Sequence, residues 1–308
     1  MRFKYLLKRS FINLKKYGLF PTCKKILDIL FKNNKIDLDV LIKNSPDNLD
    51  DIFIKFGTDK GSLDSKKTYD SLYKNNKSSQ FKNYLSWIER PDLKNYEYQM
   101  GLNSSPIYEN VFKKRRLEKL KILELGVANG HSIASWHHYF PNSEIYGIDN
   151  KKSFKFFYKS SRVKYFQLDI FNEKKIKEFI KNYGKFDYII DDSLNTEAAM
   201  LHNIKNFYPS LESGGAYFLE DYGFYDHVQK AMQEVKLYNT KNGMRYFLNS
   251  RTMRSILEML KNKTIFDDEI LNKKILEDIF STLENIEFGN YKHPYAAIAI
   301  MYKKNFNN

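Results

Sequence analysis

Lys121 to Asn150 constrains this chain more than any other stretch. Lys121–Leu125 is a short apolar run. Gly126-Val127-Ala128-Asn129-Gly130 is a turn too tight for side chains, His131 to Phe140 has helical character, and Ile145 to Asp149 is a second apolar run ending in a carboxylate. Strand, glycine loop, helix and strand in this order predict a βαβ unit of an open parallel sheet. In such sheets the ligand lies above the carboxyl ends of the strands, at the first βα turn. Glycines there admit backbone N–H groups and a helix N-terminus to the ligand. Asp149, closing the second strand, is placed to accept hydrogen bonds from the hydroxyls of a ribose.

The loop is neither the G-x-G-x-x-G of dinucleotide enzymes nor the G-x-x-x-x-G-K-[ST] of a phosphate loop. It reads E-x-G-x-x-x-G, with Glu124 just before Gly126. A carboxylate there repels a pyrophosphate but suits the cationic methionine end of S-adenosylmethionine. Glu124, Gly126, Gly130 and Asp149 together resemble motifs I and II of the class I S-adenosylmethionine-dependent methyltransferases. That resemblance implies an α/β, Rossmann-like fold with seven strands in the order 3-2-1-4-5-7-6. It also places Asp169, in Gln167-Leu168-Asp169-Ile170-Phe171, near the adenine of the cofactor.

The formal net charge is +14, and it is unevenly spread. Met1 to Ile36 holds ten Lys/Arg and one acid, Asp28, so this arm supplies +9 and the rest of the chain +5. A nucleic-acid stripe is therefore not established, and no nucleic-acid partner is expected. The single cysteine, Cys23, excludes an internal disulfide and a Cys-based zinc site and favours a cytoplasmic setting. No run approaches the roughly 18–20 apolar residues of a membrane span, and the N-terminus lacks a signal-peptide pattern. Phe3, Leu7, Phe11 and Leu14 recur at helical spacing among basic residues. The arm, residues 1–49, suits either an anionic membrane surface or packing against the domain or a second subunit.

Residues 50–308 read as the main domain. Gly57-Thr58-Asp59-Lys60-Gly61 follows an apolar run, and Ile107-Tyr108-Glu109-Asn110-Val111-Phe112 comes later. A G-T-D-K-G element, a Y-E-x-x-F element and the I-L-E-x-G-V loop together are similar to a subgroup of sugar O-methyltransferases. That subgroup includes macrolide deoxysugar enzymes and enzymes of bacterial surface-polysaccharide clusters. The resemblance implies cofactor-binding roles for Thr58, Asp59 and Lys60. The chain departs from the pattern by an insertion near residues 63–104. Further strands are expected at Val163–Gln167, Phe186–Asp192 and Ala216–Glu220, with an antiparallel edge at Asn285–Phe288 and Ala296–Tyr302. Helices are expected at Glu173–Tyr183, Asn195–Tyr208, Asp226–Tyr238, Thr252–Lys261 and near Asp267–Leu283.

A sugar hydroxyl needs a general base, or a cation that lowers its pKa, before it attacks a methyl group. Asp191, Asp192, Glu220 and Asp221 end adjacent strands. Their mutual repulsion invites a divalent cation, and oxygen ligands suit Mg²⁺. Asp191, Asp192 and Asp221 are the expected metal ligands, and Asp191, Asp192 and His227 the expected catalytic groups. Asp191 is also expected against the cofactor, and Tyr222 and Tyr225 against the sugar. The related enzymes carry D-D-G-S-H and E-D-x-H turns. Here Asn195 and Gly223 stand where those histidines would be, so a histidine base does not carry over. The other histidines lack metal-ligand spacing, and His137-His138 and His202 read as packing or surface residues. The expected activity is O-methylation of a sugar hydroxyl, on a nucleotide sugar or a surface-glycan precursor, by a homo-oligomer. A phosphoramidate or amino-sugar acceptor, or a cofactor-binding scaffold of a glycan assembly, stands as the alternative.

Overall fold

The structure is a computed structural model describing residues 36–41, 48–56, 58, 60–61, 104–128, 130–150, 158–223, 252–289 and 297–306. Its centre is a seven-stranded sheet. The strands are β2 (Lys121–Leu125), β3 (Glu144–Asp149), β5 (Val163–Gln167), β6 (Phe186–Asp191), β7 (Leu211–Leu219), β8 (Leu283–Phe288) and β9 (Ala299–Lys303). They lie in the order β5-β3-β2-β6-β7-β9-β8. The first five are parallel, and β9 inserts antiparallel between β7 and β8. A two-residue parallel pair, β1 (Ile36–Asp37) with β4 (Tyr158–Lys159), stands apart from it.

Alternation along the strands divides the core into two layers. On one face Leu123, Leu125, Ile189, Tyr217 and Leu219 meet α5 (Glu173–Tyr183), α6 (Glu197–Phe207), α7 (Met253–Lys261) and α8 (Lys273–Thr282). On the other, Ile122, Tyr188, Ile190 and Phe218 meet α2 (Leu49–Phe56), α3 (Ser105–Phe112) and α4 (His131–Tyr139). Central strands buried on both faces explain why β2, β3 and β6 read as nearly continuous apolar runs. The second layer is aromatic. The Phe112 ring lies 4.6 Å from Tyr188, 5.0 Å from Phe218 and 5.8 Å from Trp136, centre to centre.

Several boundaries differ from the sequence expectation: β7 begins at Leu211 rather than Ala216, α6 at Glu197 rather than Asn195, and two further differences have a visible cause. The helix near Asp267–Leu283 begins only at Lys273, because Asp268 Oδ1 first accepts from the backbone N–H groups of Ile270 and Leu271. Asn272 then caps the helix by accepting from Ile275 N–H. At the other end, Leu38, in α1 (Leu38–Leu41), and Leu49 are fully buried in the same cluster as Trp136. These two residues of the expected arm thus belong to the core of the domain. Asp39 fastens that segment, with its carboxylate meeting Ser160, Ser161 and His137. Met1 to Lys35, most of the insertion and the helix expected at Asp226–Tyr238 lie outside the described residues.

The insertion leaves and rejoins the fold at one point. Lys60 O accepts from Ser104 N–H at 2.9 Å, so the chain positions before and after it are directly bonded. A long excursion between fixed ends adds little closure entropy beyond that of a short one. The G-T-D-K-G and Y-E-x-x-F elements stay adjacent despite the residues between them.

Candidate active site

The turn after β2 passes under the loop leaving β6. Gly126 has φ +87°, and a Cβ there would lie 2.0 Å from Asp192 O. Only glycine supplies both the left-handed backbone and the missing atom. Gly130, φ +92°, precedes α4 and accepts from Ala134 N–H. Asp149 closes β3 almost buried, and its Oδ2 accepts from Ala128 N–H at 2.8 Å. The carboxylate expected at the ribose thus also fixes the turn. Asp169 is exposed and accepts from Phe171 N–H.

Glu124 is fully buried beneath the turn. Ser132 Oγ donates to its Oε2 at 2.8 Å, and among the described residues Oε1 has no hydrogen-bond partner. Burial raises its pKa to about 7, aided by Asp192, while Lys60, Ser132 and Trp136 pull it down. An acceptor atom left unsatisfied in the interior is costly, and a cationic or donor group of a ligand would satisfy it.

The strand-end acids separate by face. Glu124 pairs in register with Ile190, and Ile190 with Phe218. Asp192 and Glu220 follow those two residues by two and meet one another through Lys60, while Asp191, the last residue of β6, points to the opposite face from Ile190. Asp191 is accordingly turned away from the turn and is 2 % exposed. Its oxygens accept from Asn203 Nδ2 at 2.9 and 3.0 Å, Ser193 Oγ at 2.8 Å and Tyr217 OH at 2.6 Å. Burial still lifts its pKa to about 6 against these bonds. Asp191 and Asp192, both expected at the metal, therefore do not share one site. Asp221, at φ +54°, accepts instead from Asn195 Nδ2 at 3.1 Å.

What does meet Asp192 is Lys60. Its Nζ lies 2.6 Å from Asp192 Oδ2 and 2.5 Å from Glu220 Oε2, with Lys60 and Glu220 buried and the Asp192 side chain 30 % exposed. The Tyr108 hydroxyl donates to the other oxygen of Glu220. Burial raises the Glu220 carboxyl to about 7, a push that Lys60 and Tyr108 oppose. Among the described residues no three Asp, Glu, His or Cys side chains gather to hold a metal. The donor chemistry suits Mg²⁺, but an ammonium already spans the two carboxylates, so the residues as arranged do not fit a metal.

Lys60 thus stands among the acids rather than apart from them, and Thr58 is buried beside it, its Oγ1 3.4 Å from Lys60 N. No role for Tyr108 follows from the sequence alone, although the Y-E-x-x-F element marks its position. Tyr222, expected against the sugar, is buried, with its hydroxyl 3.1 Å from Arg254 Nη1. Asp59, Tyr225 and His227 lie outside the described residues. His137 and His138 are packed, each held near pKa 4 by burial and nearby cations.

The chain superposes on a methyltransferase from the mycinamycin biosynthetic pathway, solved with Mg and SAH, with a TM-score of 0.54 over 86% of this chain and 56% of that one, at 19% identity. The fold is that of the class I methyltransferases. In sequence, this methyltransferase-fold chain is 28% identical over 124 residues to mycinamicin VI 2''-O-methyltransferase of Micromonospora griseorubida. It is 27% identical over 124 residues to demethylmacrocin O-methyltransferase of Streptomyces fradiae. Each match covers 38% of this chain and 31% of the relative. The chain thus resembles sugar O-methyltransferases over less than half its length. No protein-family model matches it.

Proposed function

We propose that the protein transfers a methyl group from S-adenosylmethionine to a sugar hydroxyl. The observation that carries this reading is the carboxyl edge of the sheet. There the glycine turn after β2 stands between Asp149 on β3 and Asp192 beyond β6. Similarity to named sugar O-methyltransferases supports the acceptor class.

S-adenosylmethionine supplies an activated methyl group on a sulfonium. Glu124 offers the positively charged methionine end the oxygen that no described residue bonds, under a turn that only glycine permits. Asp149 takes the ribose hydroxyls. The acceptor hydroxyl approaches Asp192, the partly exposed member of the acidic pair. Bound S-adenosylmethionine would supply the methyl carbon to the hydroxyl oxygen and leave as the neutral thioether, and the Asp192 carboxylate would take the proton that the hydroxyl loses. Holding these atoms in line accounts for most of the rate gain in such a displacement.

Within this class we infer a nucleotide sugar or surface-glycan precursor as acceptor. The basic, amphipathic Met1–Phe31 supports a substrate assembled at an anionic membrane face. The test is calorimetric titration with S-adenosylhomocysteine, followed by transfer of labelled methyl from S-adenosylmethionine to nucleotide sugars and macrolide glycosides. Label is expected in a sugar hydroxyl. Folded protein that binds no S-adenosylhomocysteine would overturn the reading.

A further inference from the structure

A lysine ammonium in the interior is costly unless carboxylates surround it. Lys60 is 1% exposed, and its Nζ reaches one oxygen of Asp192 and one of Glu220. Its main chain is held as well, through Ser104 N–H on Lys60 O and Thr58 Oγ1 near Lys60 N. The second Glu220 oxygen is taken by Tyr108, itself fully buried in the aromatic layer. The ammonium is thus delivered by a built arrangement that joins the G-T-D-K-G and Y-E-x-x-F elements at one carboxylate. A divalent cation placed between β6 and β7 would need the same Asp192 and Glu220 oxygens. Asp191 is turned into the other layer, and among the described residues no third acid joins Asp192 and Glu220 in a metal-holding group.

We propose that Lys60 is the resident cation of the strand-end carboxylates, holding Asp192 for the acceptor and excluding a divalent metal from Asp192 and Glu220. Lys60 acts through Asp192 and is a positioning residue. The proposal rests on reading this edge as the acceptor side of a methyltransferase site, but its test reads cation binding and needs no turnover.

The experiment is a Mn²⁺ titration of the full chain, followed by the paramagnetic resonance signal of free Mn²⁺. The wild type should show no site that Asp192→Asn removes. Lys60→Met should gain one Mn²⁺ site at least tenfold tighter than any in the wild type, and Asp192→Asn added to it should abolish that site. A wild-type Mn²⁺ site lost in Asp192→Asn would overturn the proposal, because the metal would then be the resident cation. So would a folded Lys60→Met protein that gains no site. Should Lys60→Met fail to fold, the wild type and Asp192→Asn still decide whether a metal occupies these oxygens. S-adenosylhomocysteine binding in the same samples separates a failure here from a failure of the methyltransferase reading.

Discussion

Replacing Lys60 by methionine should destabilise the protein in a pH-dependent way. The substitution removes the shared positive partner of Asp192 and Glu220 and leaves both carboxylates behind. Breaking a buried pair by deleting one partner costs about 3–5 kcal/mol. Here the acids can escape part of that cost by taking up protons. Glu124 and Glu220 already have pKa values raised to about 7, chiefly by burial, and Lys60 is the leading influence holding each down. An acid whose folded pKa exceeds its unfolded value favours the native state fully below the unfolded pKa, and that advantage fades as pH rises to the folded pKa. In the wild type the loss from these two groups is complete a little above neutral pH. Without Lys60 their folded pKa values move higher, so the decline continues. Above about pH 7, Lys60→Met should therefore lose stability relative to the wild type as pH rises, by up to about 1.4 kcal/mol per pH unit for each carboxyl that stays protonated in the folded variant. Urea unfolding in EDTA at several pH values measures this directly. Parallel pH profiles for the two proteins would refute the reasoning, since they would mean that Lys60 does not govern the ionisation of the acids.

Three further outcomes are expected. Asp149→Ala removes a charged hydrogen-bond partner worth about 1.5–3 kcal/mol and releases Ala128 N–H, so calorimetry should show S-adenosylmethionine binding at least about tenfold weaker; unchanged affinity would remove Asp149 from the cofactor site. Asp191→Asn sets an amide N–H₂ against the donors Asn203 and Tyr217, so urea unfolding should show a loss of about 1–3 kcal/mol with S-adenosylhomocysteine affinity retained; undiminished stability with lost turnover would instead make Asp191 a catalytic group. Deleting Met1–Phe31 should abolish salt-sensitive co-sedimentation with anionic liposomes, and equal sedimentation of both proteins would assign the arm to packing.

The sheet was legible because its signal is local. The run Lys121–Leu125 and the run Val163–Gln167 appear in the fold with the bounds their apolar patterns predict, and Glu173–Tyr183 does so as a helix. The glycine turn was legible too, since the left-handed backbone at Gly126 and Gly130 leaves a mark on residue type. The site behind the turn was less so. Its acids form one cluster in sequence, although a strand sends neighbours to opposite faces, and Asp191-Asp192 cannot present both side chains to one ligand while the strand continues. That separation follows from the strand assignment itself once the register is known. Lys60 is different in kind. Its partners lie 132 and 160 residues away in sequence, and Tyr108 meets Glu220 across 112. Nothing in Gly57–Gly61 announces an ammonium directed at the sheet; only the packing of α2 and α3 over β6 and β7 delivers it there. Acids brought together at strand ends demand a cation or hydrogen-bond donors to offset their burial. In the structure a side chain of the same chain meets that demand for Asp192 and Glu220, while Asp191 meets it with hydrogen bonds on the other face.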